Sequence, residues 1–224
     1  MSNTRSRNTI LSRLYHASRS QGEGAKEHSQ PRSYCVDERD NVQRIKQLME
    51  GMRAQVHVID KDCWLDVLMQ IQKKKVLRTL LYSSETDIGA ALENHVKGCD
   101  NNEVMLPELI QYKKNIEDFK ARLFTIEAAI TTSKGAIADT GAIILWPDET
   151  EPRLMSLVPP IHIVVLDAET IYNNLSEAMK KEHWQNNMPT NAVLISGPSK
   201  TADIELILAF GVHGPKELIV IIRS

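Results

Sequence analysis

Two short stretches hold most of the polar side chains that the folding pattern leaves over. The first is Gly197-Pro198-Ser199-Lys200-Thr201-Ala202-Asp203, set between an apolar run and a helix-spaced segment. A helix starting there would turn its open N–H groups toward a carboxylate or phosphate, with Ser199, Lys200 and Thr201 as ligand-binding side chains. The second is Asp139-Thr140-Gly141, followed by Arg153. Asp139 and Asp203 are the candidate catalytic carboxylates, as base or nucleophile. Thr140 would donate a hydroxyl, Arg153 would clamp a carboxylate through two parallel bonds, and His213 is left over beside them. Each has a plainer duty as well. Ser199 or Thr201 can cap a helix, Asp139-Thr140-Gly141 can be a turn, and Arg153 can pair with Glu149 or Glu151. Both readings stay open at this level.

The missing spacings exclude more than the present ones assign. The Gly197 loop lacks the G-x-x-x-x-G-K-[ST] pattern of nucleoside-triphosphate binding, and no G-x-G-x-x-G fingerprint occurs. No G-x-S-x-G elbow and no H-E-x-x-H is present. The three cysteines, Cys35, Cys63 and Cys99, are widely spaced without a C-x-x-C. That argues against a disulfide framework, a zinc finger or an iron–sulfur cluster held by this chain, and fits a reducing cytoplasm. A formal net charge of −2 gives no basic field for nucleic acid. No apolar run approaches the roughly 20 residues that span a bilayer.

The elements that must position these residues follow from periodicity. Met1–Ser20 carries four arginines and no acid, which superficially resembles a transit peptide. Ile10, Leu11, Leu14, Tyr15 and Ser18 nevertheless share one helical face, so a docking helix explains the pattern equally well. Gln21–Asp40 is polar and reads as a linker, giving a division into residues 1–40 and a main domain over 41–224. Val42, Ile45, Leu48, Met49 and Met52 are helix-spaced, as are Trp64, Leu65, Leu68 and Ile71. Ser84 would cap a helix through His95, and another helix runs from about Glu169 to Lys181.

Strands are expected at Val56–Asp60, Thr79–Ser83, Arg122–Thr132, Ala142–Trp146, Ile161–Asp167, Asn191–Ser196 and Glu217–Ile222. Between the last two, Ile204, Ile207, Leu208, Gly211 and Val212 keep a helical spacing that Gly214-Pro215 would stop. Continuous Val/Ile/Leu strands flanked by helices imply an α/β fold with a mainly parallel sheet.

The stretches "AIADTGAIIL", "EPRLMSLVPPIHIVV" and "ISGPSKTADIELILAFGVHGPKEL" together resemble the LUD domain of the lactate utilization protein C (LutC/YkgG) family. Gly197, Pro198, Ser199, Thr201, Ala202, Asp203, Ile204, Glu205, Gly211, His213, Gly214 and Pro215 occupy family positions, and the likeness runs from about Asn41 to the end. It implies a Rossmann-like layered sandwich of the NagB/RpiA/CoA-transferase-like kind. It also implies a subunit of an iron–sulfur-dependent system oxidising L-lactate to pyruvate. The clusters then sit on partner proteins, and this chain holds no cofactor of its own. Ala142 stands where the family usually has Thr or Ser, and Thr132 where many members have Gly. A free-standing isomerase or CoA-transferase-like enzyme, and a purely structural interaction subunit, are the alternatives.

Overall fold

The computed structural model describes residues 12–13, 38–98, 107–112, 116–186, 188–202, 208–210 and 213–224. The expected N-terminal helix and linker lie outside these residues, apart from helical Ser12 and Arg13 and the last three linker positions. Those three open helix α1 (Glu38–Gly51), so the linker does not extend to Asp40. One compact unit runs from Val36 to Ser224.

Six parallel strands form the main sheet: β1 (Gln55–Ile59), β2 (Thr79–Tyr82), β3 (Glu108–Gln111), β4 (Ala128–Thr132), β7 (Ile161–Asp167) and β12 (Glu217–Arg223). Their spatial order is β1-β12-β7-β4-β2-β3. The central strands are apolar on both faces because both are covered, as a parallel sheet requires. Val164 and Leu166 of β7 and Val220 and Ile222 of β12 meet α1 residues Val42, Ile45 and Met49 on one face. Ile163, Val165, Ile219 and Ile221 point the other way, against α2 (Trp64–Lys75) and α3 (Asp87–Gly98). The period of two along each strand thus feeds two cores at once. A third cluster joins Leu81, Ile110 and Ala129 to α4 (Ile116–Leu123) and to Met155 of α5 (Arg153–Leu157).

A second, four-stranded sheet lies over the α1 face. It contains β5 (Gly135–Ile137), β6 (Ala142–Leu145), β8 (Ile171–Tyr172) and β9 (Val193–Ile195), in the order β8-β5-β6-β9. Ala136, Ile143 and Leu145 face the main core, while Ile137, Ile144 and Tyr172 face outward to Trp184 and to Ala178 of α6 (Leu175–Lys181).

Several local expectations are corrected. Arg122–Thr132 is not one strand: α4 ends at Leu123 and β4 begins at Ala128, because Phe119 and Leu123 bury one helical face. The helix expected from Glu169 begins only at Leu175, since Ile171 and Tyr172 pair with β5 instead. The cap of α3 is Thr86, not Ser84: its hydroxyl accepts from the Gly89 amide at 3.1 Å. Val193–Ile195 is a half-exposed edge strand of the second sheet, not a buried strand of the main one. The last helix is replaced, among the described residues, by a hairpin of β10 (Lys200–Ala202) and β11 (Leu208–Phe210).

Candidate functional site at the carboxyl ends of the strands

Strands β2 and β4 are neighbours, yet the chain leaves them in opposite directions. From β2 it continues to β3 at one edge, and from β4 it continues to β7 and then toward β12. Outside the carboxyl ends of two such strands a crevice opens, and this is where parallel α/β sheets hold ligands. A cleft of about 360 Å³ lies there. Glu85 and Thr86 come from the β2–α3 connection, Thr131 and Thr132 from the end of β4, and Ser133 and Lys134 from the link to β5. Leu145 to Pro147 and the loop Asp148–Pro152 close it.

The floor is rigid for identifiable reasons. A side chain at Gly89 would place its Cβ 1.8 Å from the Ser83 carbonyl oxygen, so glycine lets α3 start directly against β2. Thr86 ties the same corner by donating to Ser83 O at 2.9 Å. Thr131 Oγ1 lies 2.9 Å from His162 Nε2, and both residues are buried. Burial pushes the His162 imidazole down to about 3, so it is neutral at ordinary pH.

Glu151 is the principal carboxyl of the cleft. Both of its oxygens accept from the Thr132 amide, at 3.0 and 3.1 Å, and Oε2 also accepts from the Thr132 hydroxyl. Burial raises its proton affinity above the ordinary carboxylate range; the Thr132 bonds oppose this, and the charges of Asp148 and Asp87 add to it. A carboxyl so perturbed in a cleft is a general acid/base candidate. Asp148 shapes the loop, its Oδ1 accepting from the Thr150 and Glu151 amides at 2.7 and 2.8 Å. Lys134 bridges to Glu182 at 2.7 Å, and Glu182 also accepts from the Tyr172 hydroxyl. Among the described residues, no group of three or more His, Cys, Asp or Glu could hold a metal ion.

Residues 42–222 match the family model described as the LUD domain. The chain belongs to the LUD domain family. It is 36% identical over 185 residues to an uncharacterized protein of Neisseria meningitidis, covering 80% of this chain and 77% of that one. To lactate utilization protein C 1 of Bacillus mycoides it is 30% identical over 182 residues, covering 76% and 75%. The protein YkgG of Escherichia coli is 31% identical over 100 residues, 43% of each chain. The crystal structure of a DUF162 family protein from Deinococcus radiodurans shares the fold, with a TM-score of 0.57 at 16% identity over 84% of this chain and 99% of that one. The α/β architecture and the lactate utilization protein C likeness expected from the motifs are both found.

Within this LUD domain the two sequence-flagged stretches sit elsewhere than the cleft's floor. Asp139 and Thr140 are exposed in the β5–β6 turn, and Asp139 pairs with Arg44 of α1 at 3.0 Å. Gly141 there has φ +63°, and a Cβ would stand 2.6 Å from Leu48 Cβ. Gly197 approaches Met52 in the same way, at 3.0 Å. Leu48 and Met52 are four residues apart, so both stretches come to the last part of α1 and just beyond it, about one turn from each other.

Among the described residues, this loop leads into a strand and not into a helix start. The Ser199 amide donates to Pro215 O at 2.9 Å, and Lys200, Thr201 and Ala202 pair with Phe210, Ala209 and Leu208. Asp203 lies outside the described residues. His213 is exposed in the bend before Gly214, whose α-carbon faces Ser199. Arg153 is exposed at the first position of α5, directly after cleft residues Glu151 and Pro152. Glu151 turns to Thr132 instead of Arg153. Sequence reasoning missed Glu151 as a site residue. The signal available was its place in an Asp148-Glu149-Thr150-Glu151 loop just after a buried strand.

Proposed function

We propose that this LUD-domain protein is a cytoplasmic subunit of a lactate-utilization system, contributing a ligand-binding cleft to the oxidation of L-lactate to pyruvate. Iron–sulfur partner proteins carry the clusters and the electrons, and this chain carries none. The observation behind this reading is the likeness to lactate utilization protein C 1 of Bacillus mycoides along three quarters of both chains. The ligand is a small carboxylate- or phosphate-bearing molecule. Arg153 beside the cleft is the cation suited to its anionic end, Lys134 in the wall being bridged to Glu182, and it stands in place of Ser199, Lys200, Thr201 and His213.

Deleting the gene should abolish growth on L-lactate and leave growth on pyruvate intact, with wild-type protein restoring it. Unimpaired growth on lactate, in a strain with no second lactate-oxidising route, would sink the proposal. Tagged protein should also retain iron–sulfur proteins on purification from lactate-grown cells.

The alternative, a free-standing isomerase or CoA-transferase-like enzyme, rests on Glu151, whose proton affinity is raised by burial in the cleft. Asp139, exposed and paired with Arg44, has no such environment. Turnover of an acyl-CoA with lactate by the purified chain alone, lost in E151Q, would favour this alternative over the first.

A further inference from the structure

The hydroxyls of the cleft face it almost entirely as acceptors. A hydroxyl has one proton to donate and two lone pairs. Thr86 donates to Ser83 O, Ser133 to Val165 O and Ser156 to Arg153 O, each at 2.9 Å. Thr132 donates to Glu151, and Thr150 points its hydroxyl at Glu85 over 3.5 Å. Each of these protons is thus taken by a protein oxygen, for Thr132 and Thr150 a carboxylate of the same wall, and the hydroxyls are left with lone pairs. Glu85, Asp148 and Glu151 add carboxylate oxygens to the same wall. Lys134 is the cation in the lining, and it is already bridged to Glu182. Trp146 supplies an aromatic side, steadied by the Trp184 ring 5.0 Å away.

Such a wall discriminates by chemistry. A compact anion lying wholly inside would face the carboxylates of Asp148 and Glu151 against an ammonium already bridged to Glu182. A compact metal cation would need several carboxylate, imidazole or thiolate ligands gathered together, and the described residues offer no group of three or more. A ring bearing adjacent hydroxyls satisfies both sides: it donates several O–H groups at fixed angles, offers Lys134 an oxygen, and lays C–H bonds against an indole. The cleft volume of about 360 Å³ is at the lower end of ordinary ligand pockets and exceeds what a three-carbon acid fills.

We infer that the part of the ligand entering this cleft is a polyhydroxylated ring, a sugar or the ribose of a nucleoside, with any phosphate or carboxylate directed outward past Lys134. The inference rests on the reading of this cleft as the ligand site and goes further by naming what that site recognises. Its selectivity comes from acceptors: Glu151 and the lone pairs of Ser133 and Thr132 receive the ring's protons.

The test is a titration of the full-length protein with D-ribose, D-glucose and adenosine, and in parallel with L-lactate, inorganic phosphate and spermidine. Binding is read by tryptophan fluorescence and calorimetry. Saturable binding of at least one polyol is expected, weakened about tenfold in E151Q, which turns an acceptor into a donor at unchanged size. Ser133→Ala, which removes one wall acceptor, should weaken it less. Adenosine binding well above ribose assigns a nucleoside; similar binding of the sugars assigns a free sugar. Tighter binding of lactate, phosphate or spermidine, itself sensitive to E151Q, would overturn the polyol assignment and keep the cleft as the ligand site. No response to any compound by variants and wild type of normal fold would overturn both, while the growth test on lactate would stand separately.

Discussion

The cleft at the ends of β2 and β4 and the turns beside α1 are built from similar residues and behave differently. Both contain Asp or Glu, Thr, Ser and Gly. Beside α1, Asp139 is exposed and its partner Arg44 is too, so water screens the pair and little depends on it. In the cleft, Glu151 is held by three hydrogen bonds from one threonine, with the charges of Asp148 and Asp87 nearby. Polar residues acquire functional character from desolvation and directed bonds, and their types alone do not supply it.

That contrast can be broken or sharpened experimentally. The largest effect is expected from Gly89→Ala, because the added Cβ would overlap the Ser83 carbonyl and α3 must move off β2. A loss of about 3 kcal/mol, the upper end of overpacking costs, should appear in urea unfolding, with loss of cleft binding. An unchanged midpoint would mean the corner is not tightly packed.

Next comes pH. His162 has a folded-state value of about 3, below its unfolded value of 6.5, so the unfolded chain takes up a proton first as pH falls. Its contribution is fully present above about pH 6.5 and is lost progressively down to about pH 3, amounting to about 2 kcal/mol between pH 7 and 5. His162→Gln should remove that slope from denaturant-unfolding data. A parallel pH dependence in the variant would contradict the buried neutral imidazole.

Thr86→Ala removes the α3 cap and should cost about 1 kcal/mol, with Thr86→Ser restoring most of it. At the small end, Asp139→Ala beside α1 should change stability by less than about 0.5 kcal/mol and leave ligand binding in the cleft unaltered. A large loss of binding there would reverse the comparison and restore Asp139 as a site residue.

Much of the frame was legible from pattern. Ile161–Asp167 and Glu217–Ile222 are continuous apolar runs, and both are central strands with the expected start. The α1 spacing was right in period, but Leu48 and Met52 remain partly exposed near the Gly141 and Gly197 turns. Shorter elements were harder. Gly135–Ile137 and Glu108–Gln111 carry too few residues to show a period, and Lys200–Ala202 sits in a segment whose helical spacing pointed the other way. A hairpin partner six to ten positions along the chain decides such a segment more than its own periodicity does.

The sequence alone therefore determined the α/β class, the strongly apolar strands and the family likeness, since these depend on composition and on order along the chain. Only the tertiary structure decided where the chemistry can occur. Thr132 meets Glu151 nineteen positions later, Thr131 meets His162 thirty-one positions later, and Thr86 joins them from a different connection. No local spacing encodes those meetings. They follow from the order of strands in the sheet and from the opposite directions in which the chain leaves β2 and β4.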